Sequence, residues 1–255
     1  MASLRVRAFR GLRFVPSRVE LASVIAWGPA SGDPRHVGRL LDDHQGDGDG
    51  KDAPVRRARL RLADWQRAGV MKRDEQPAMY AVRRRDDDGE SAIGLFCAVS
   101  VEGGVDVSVE RSAVESAVDP ARARQLEGLG VSIEPVVAGF DEARVKRTLE
   151  NAVDREADAT WKIGSTSFEL WCLDEESTTA RIATLLSQAP ITLGKNAAAL
   201  AAHAAWWQRA SGGASDDDRP RAGAFALAFL HPIDEPWSDV PVGAALAPLM
   251  GTLEK

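Results

Sequence analysis

"AMYAVRRRDDDGESAIGLFCAVSV", residues 78–101, decides the fold. Two runs rich in β-branched, aromatic and small apolar residues flank "DDDGE", a polar turn of the kind that lets a hairpin reverse direction. A third run, "GVDVSVE", follows after "EGG", so residues 79–110 read as an antiparallel hairpin or meander. This local pairing sets the middle of the chain apart from a strict parallel β–α–β rhythm.

Outward toward the N-terminus, "LRVRAF" (residues 4–9) alternates as a strand does. "PSRVELASVI" (16–25), with Ser17 near its start, and "DPRHVGRLLDDH" (33–44), capped by Asp33, read as short helices. A longer helix is expected over residues 54–68, with Pro54 opening it and Gly69 ending it. Its inner stripe is expected to be Val55, Ala58, Leu60, Leu62 and Trp65, which leaves Arg56, Arg57, Arg59 and Arg61 to solvent.

Toward the C-terminus the pattern mixes. Helices are expected in "DPARARQLEGL", "DEARVKRTLENAV", "EESTTARIATLLSQA" and "NAAALAAHAAWWQRA", and strands in "VSIEPVVAGF", "ATWKIG", "SFELWCL", "PITL" and "AFALAFLHP". The expected fold class is α+β: one domain, residues 1–255, with a mixed, largely antiparallel central sheet and flanking helices. It has sub-regions 1–118 and 119–255, and polar loops at 44–54 and 211–223.

Charge and composition narrow the function. Basic and acidic residues number 32 and 38 and are interspersed, for a net charge of −6, so there is no electrostatic footprint for nucleic acid or an anionic membrane. The arginine cluster of residues 55–65 reads as a solvated helix face. No apolar run approaches membrane-spanning length and the N-terminus does not read as a secretory signal, so a soluble, cytoplasmic protein is expected. Cys97 and Cys172 lie in apolar strand runs and read as buried free thiols.

Motifs of catalysis are scarce. The chain has no G-x-S-x-G, H-E-x-x-H, Walker or G-x-G-x-x-G pattern. The loop at residues 44–54 has carboxylates at alternate positions but fails the spacing of a calcium loop: from Asp43 the twelfth position is Pro54 instead of glutamate, and from Asp47 the sixth is Asp52 instead of glycine. Histidines 36, 44, 203 and 231 do not cluster with acids or cysteines. No metal and no cofactor are expected, and His203 reads as a packing partner of Trp207.

Several stretches, in order, carry a resemblance: "RAFRGLRF", "SRVELASVIA", "DWQRAGVMKRDEQPAMYAV", "IGLFCAVSV", "IEPVVAGF", "FELWCL" and "FALAFLHPID". Together they are similar to the bacterial and archaeal family called domain of unknown function 1015. Its members tend to be longer, so the chain reads as shortened at its C-terminal end. The resemblance implies an association with serine biosynthesis and an Asp-Gly-His-His-Arg stretch. That stretch is itself similar to a motif of ParB/sulfiredoxin-like proteins and ADP-dependent serine kinases, in which it holds phosphate.

In this chain the stretch has drifted. Gly194 keeps the glycine, Leu193 stands for the acid, Lys195 and Asn196 for the two histidines, and Ala197 for the arginine. A Pro-Pro-Tyr-Asp run is reduced to Pro29. A His-Glu pair keeps Glu110 but has Val109 for the histidine, and Arg122 matches a family arginine.

Two readings stay open. In one, the protein is a catalytically degenerate member that works as a binding or regulatory module with a protein partner or as a homo-oligomer. In the other, it is an enzyme or binder of a small phosphorylated metabolite, with kinase-like phosphoryl transfer in serine metabolism. The second would use Arg10, Arg13, Glu110, Arg122, Gly194, Lys195 and Asn196. A pocket where these side chains converge would favour the second reading.

Overall fold

The computed structural model describes residues 5–25, 33–41, 50–100, 120–133, 135–194, 200, 201, 203, 204, 206, 225–235, 237 and 249–252. The decisive stretch forms two strands, β4 (Met79–Arg85) and β5 (Ser91–Ser100), paired antiparallel from Tyr80 opposite Phe96 to Arg85 opposite Ser91. Gly89 closes their turn at φ 89°, a backbone that side chains with a Cβ rarely adopt. The run "GVDVSVE" lies outside the described residues.

Around this hairpin grows an eight-stranded sheet. It takes in β1 (Val6–Arg7), β7 (Val136–Phe140), β8 (Ala159–Ile163), β9 (Thr166–Leu173), β10 (Ile191–Leu193) and β11 (Phe225–Pro232). Its order is β10-β7-β11-β5-β4-β9-β8, with β1 beside the end of β5. Only β7 and β11 run parallel; the other pairs are antiparallel. The fold is therefore α+β with a mixed, mostly antiparallel central sheet. Strands from both sub-regions interleave in it.

A second, four-stranded sheet, antiparallel throughout, has the order β3-β2-β12-β6. Its strands are β2 (Gly11–Phe14), β3 (Met71–Arg73), β6 (Val131–Ser132) and β12 (Leu249–Thr252). The expected single strand over residues 131–140 is thus divided between the two sheets, with Pro135 between its halves. Proline cannot donate to a ladder, so the chain changes sheet there.

β5 shows why this architecture is favoured: its residues from Ala92 to Ser100 are buried on both faces. Phe96 and Ala98 look toward the second sheet and the helices α1 (Leu21–Ile25), α2 (Gly38–Leu41) and α3 (Ala53–Arg67). Ile93, Leu95, Cys97 and Val99 look the other way, onto α5 (Ala143–Ala152), α6 (Glu176–Leu186) and Leu200. A strand apolar on both sides has to be covered on both sides, so the sheet becomes the middle layer.

Two expectations change. α3 begins and ends where Pro54 and Gly69 place it, but Leu60 is 67% exposed. Ala58, Leu62 and Trp65 recur at the spacing of one helical face, and Leu60 stands about 200° from Ala58, on the far side. Of the helix expected over residues 33–44, residues 42–44 lie outside the described residues, and the rest is helical only over α2, because Asp33 accepts from the Arg35 amide at 2.7 Å and holds a turn instead. A further helix, α4 (Pro120–Leu129), packs on α3, Gly128 leaving room for Val55.

Candidate functional site

Arg13 and Lys72 face each other across the β2–β3 ladder. Two cations directly opposite repel, and each is answered by an acid just beyond β3. Arg13 grips Asp74 with two prongs, Nε to Oδ2 at 2.8 Å and Nη2 to Oδ1 at 2.7 Å, and Lys72 reaches Glu75 at 3.3 Å. Alternation along β2 leaves Leu12 and Phe14 buried and turns Arg13 outward.

Asp74 also ties the two sheets together. Its Oδ2 accepts from the Tyr80 hydroxyl at 2.7 Å, and that hydroxyl accepts from the Gly11 amide at 2.8 Å. Arg10 Nε donates to the Asp74 carbonyl at 2.9 Å. Tyr80 is fully buried; burial first, and then the bond to Asp74, push its phenol well above the usual range. It holds its proton as a donor.

Cys172 is the residue opposite Tyr80 on β9. Its amide donates to Asp158 Oδ2 at 2.6 Å and its carbonyl accepts from Arg155 at 3.0 Å, so two side chains of the α5–β8 loop continue the ladder beyond β8. Arg155 and Asp158 grip each other at 3.1 and 2.9 Å. Burial would raise the Asp158 carboxyl, but the bonds from Arg155 and the Cys172 amide outweigh it and leave it lowered. Cys172 is half-buried rather than fully buried as expected from its apolar run. Burial, then the charge of Asp74, pushes its thiol up to about 12.

These elements surround a cleft of about 1110 Å³. Phe14, Val15 and Pro16 leave β2 along one wall. Lys72, Asp74, Glu75 and Gln76 follow from β3, Asn151 and Ala152 end α5, and the β9–α6 junction brings Leu173, Asp174, Glu175 and Thr178. A concave site of this size, apolar in part with a few polar groups, suits a small ligand. Glu175 caps α6 and accepts from Ser177 and Thr178 hydroxyls at 2.5 and 2.8 Å, bonds that hold its carboxyl below the ordinary range.

The residues expected to bind phosphate are dispersed. Arg13 lines the cleft and Arg10 braces it from behind through Asp74. Gly194 ends β10, at the far side of the sheet: five strand spacings of about 4.8 Å separate β10 from β9, roughly 24 Å. The Gly194 amide is spent on the Val137 carbonyl at 2.8 Å. Arg122 lies on α4. Glu110, Lys195 and Asn196 lie outside the described residues.

His203 is buried, and its Nε2 meets the Ser132 hydroxyl at 3.0 Å; the expected partner Trp207 is outside the described residues. Among the described residues, metal-type ligands converge only at Asp86, Asp88 and Glu90 in the β4–β5 turn, where Asp86 is already held by Arg84 and Thr166. No described helix is long and apolar enough to cross a membrane.

Asp74, Arg155, Asp158 and Cys172 carry no motif in the sequence. The signals were "MKRDEQPAMY", which contains both Asp74 and Tyr80, and "FELWCL", which contains Cys172; both stood out for their resemblance. Residues 29–234 match the model of a family described as protein of unknown function (DUF1015). The chain belongs to this family. Searches of the curated proteins and of the solved structures return no match. The DUF1015 region takes in β3, β4 and β9, hence Asp74, Tyr80 and Cys172, while Arg13 precedes it.

Proposed function

We propose that this DUF1015 protein is a non-catalytic binding and regulatory module, whose cleft receives a small ligand and whose occupancy is read by a protein partner. One observation carries the reading: Arg13 and Cys172 in the cleft, and Tyr80 behind it, are engaged or held protonated. Both prongs of Arg13 rest on Asp74, and the Tyr80 hydroxyl is bound at both ends. A thiol that titrates near 12 supplies on the order of one thiolate in 10⁵ at neutral pH, far too little for a nucleophile. No histidine is among the described residues that line the cleft.

The partner half of the proposal rests on the drift at Leu193, Lys195, Asn196 and Ala197. If an Asp-Gly-His-His-Arg stretch does chemistry in the family, an intact relative would supply it. The test is calorimetric titration of the purified protein with serine, phosphoserine and ADP, alongside a turnover assay for serine with ADP. No turnover is expected; phosphoserine formed from serine would sink the reading.

A second reading, binding of a phosphorylated metabolite with kinase-like transfer, is favoured by Arg13 and Lys72 facing the same cleft. It extends the resemblance to ParB/sulfiredoxin-like phosphate loops. Phosphoserine binding abolished by Lys72→Ala would support it.

A further inference from the structure

Building on the binding-module reading above, we infer that the ligand of the cleft is an organic cation: a small aliphatic molecule that carries a primary ammonium group. The first ground is how the charges in the cleft are committed. Arg13 is held by Asp74, Arg155 by Asp158 and Lys72 by Glu75, one acid for each cation. Two carboxylates are left over, Asp174 and Glu175, neighbours at the β9–α6 junction. Among the described residues Asp174 makes no ion pair or hydrogen bond, its charge reaching Arg155 only through space, and the Glu175 carboxylate accepts only from neutral hydroxyls. The charge the cleft offers to an incoming molecule is negative.

An anion meets this arrangement badly. To use Arg13 or Arg155 it would have to displace a two-pronged carboxylate, and then lie beside Asp174 and Glu175. The N-terminus of α6, which could otherwise attract it, carries the negative charges of Glu175 at the N-cap position and Glu176 in the first turn.

A bare metal ion meets it badly too. Hard cations of the calcium type take six to eight oxygens at close range. Among the described residues, three such ligands approach one another only at Asp86, Asp88 and Glu90, at the β4–β5 turn and not in the cleft. An ammonium group needs only a few acceptors. Its carbon chain also has somewhere to lie, since Phe14, Val15, Pro16 and Leu173 line the same space with apolar surface.

The test is titration of the full chain, by calorimetry and thermal shift, with 1,4-diaminobutane. n-Butanol, butyrate, orthophosphate and calcium serve as neutral, anionic and metal comparisons. Diaminobutane is expected to bind most tightly, and more weakly as salt is raised. The double substitution Asp174→Asn, Glu175→Gln is expected to weaken it at least tenfold, while Asp88→Asn in the other acidic group leaves it unchanged. Asp174 and Glu175 are exposed, so the double variant should fold; its melting temperature checks this.

Diaminobutane that fails to bind, or binds equally well to the double variant, overturns the inference. Tighter binding of butyrate or orthophosphate, lost in Lys72→Ala, also overturns it but leaves the binding module standing. Turnover of serine with ADP would instead remove the module reading.

Discussion

The two edges of the central sheet make an instructive contrast. At the β8–β9 edge, ionisable residues from three separate stretches of chain gather: Arg13 with Asp74 and Tyr80, and Arg155 with Asp158. The chain there leaves an open cleft. At the β10 edge, a strand followed by a glycine and then a helical segment, the local pattern of a phosphate loop, uses the glycine amide for sheet pairing. The segment beyond it buries Leu200 among aliphatic residues and His203 against Ser132. Polar chemistry gathers where distant stretches meet, and the local motif becomes a sheet edge.

The sharpest test of the contrast is Asp74. Asp74→Ala leaves the Arg13 guanidinium and the Tyr80 hydroxyl without their shared acceptor, and Asp74 and Arg13 are only 13% and 24% exposed. Breaking a largely buried pair on one side is strongly destabilising, so a loss of about 3 kcal/mol is expected in urea unfolding. Asp74→Asn, which keeps an acceptor, should lose less. A loss below about 1 kcal/mol would mean that the latch between the sheets contributes little, as exposed pairs do.

Acid separates the two edges by pH. Burial lowers His203 to about 4 from its ordinary 6.5, so the unfolded chain binds a proton before the folded one does. Stability is therefore full above pH 6.5 and falls as pH drops toward 4, by about 3 kcal/mol in all. At the cleft, the lowered carboxyl of Asp158 adds stability that is lost only as pH falls below its ordinary 3.8. Denaturant titrations from pH 8 to 3 should show the two windows in turn, and His203→Gln should reduce the first, leaving the share that His231, also lowered by burial, contributes there. An unchanged slope between pH 6.5 and 4 would place the acid-sensitive group elsewhere.

Midway between the edges, Gly94 of β5 marks a place of close packing. A Cβ there would lie 2.1 Å from Phe229 Cζ, whose ring packs 4.9 Å from Phe96. Gly94→Ala should cost about 1–3 kcal/mol by overpacking, measured as a lowered melting temperature. Gly94→Ala combined with Phe229→Leu should recover part of it.

The fold was more legible than the site for a physical reason. The hairpin at residues 79–100 and the helix from Pro54 to Gly69 are local: turn residues and apolar spacing within a few positions dictate them. Leu60 misled because an apolar residue near a stripe reads as part of it until its angle is counted. The cleft has no such local signature. Arg13 was visible as one of two arginines in "FRGLRF". Its partner Asp74 lies 61 residues on, and Cys172, opposite Tyr80, is further still. Strand order brings them together, and order is what a single sequence states least directly.

The smallest expected effect tests the β10 edge itself. A Cβ on Gly194 would lie 3.2 Å from the Val137 carbonyl oxygen, a tight contact that a small shift of an edge strand can relieve. Alanine keeps the amide that donates to Val137, so the ladder survives the change. Gly194→Ala should therefore alter stability by no more than about 0.5 kcal/mol, the range of substitutions that break no buried network. If Gly194 were instead part of an anion cradle, where the backbone must come close to phosphate, the added methyl would abolish orthophosphate or phosphoserine binding with little change in stability. Calorimetry on the variant separates the two cases. An orthophosphate affinity that is present in the parent and lost in Gly194→Ala would put a ligand site at this edge as well, and the contrast between the edges would fail. An affinity that Gly194→Ala leaves alone places any anion binding away from β10.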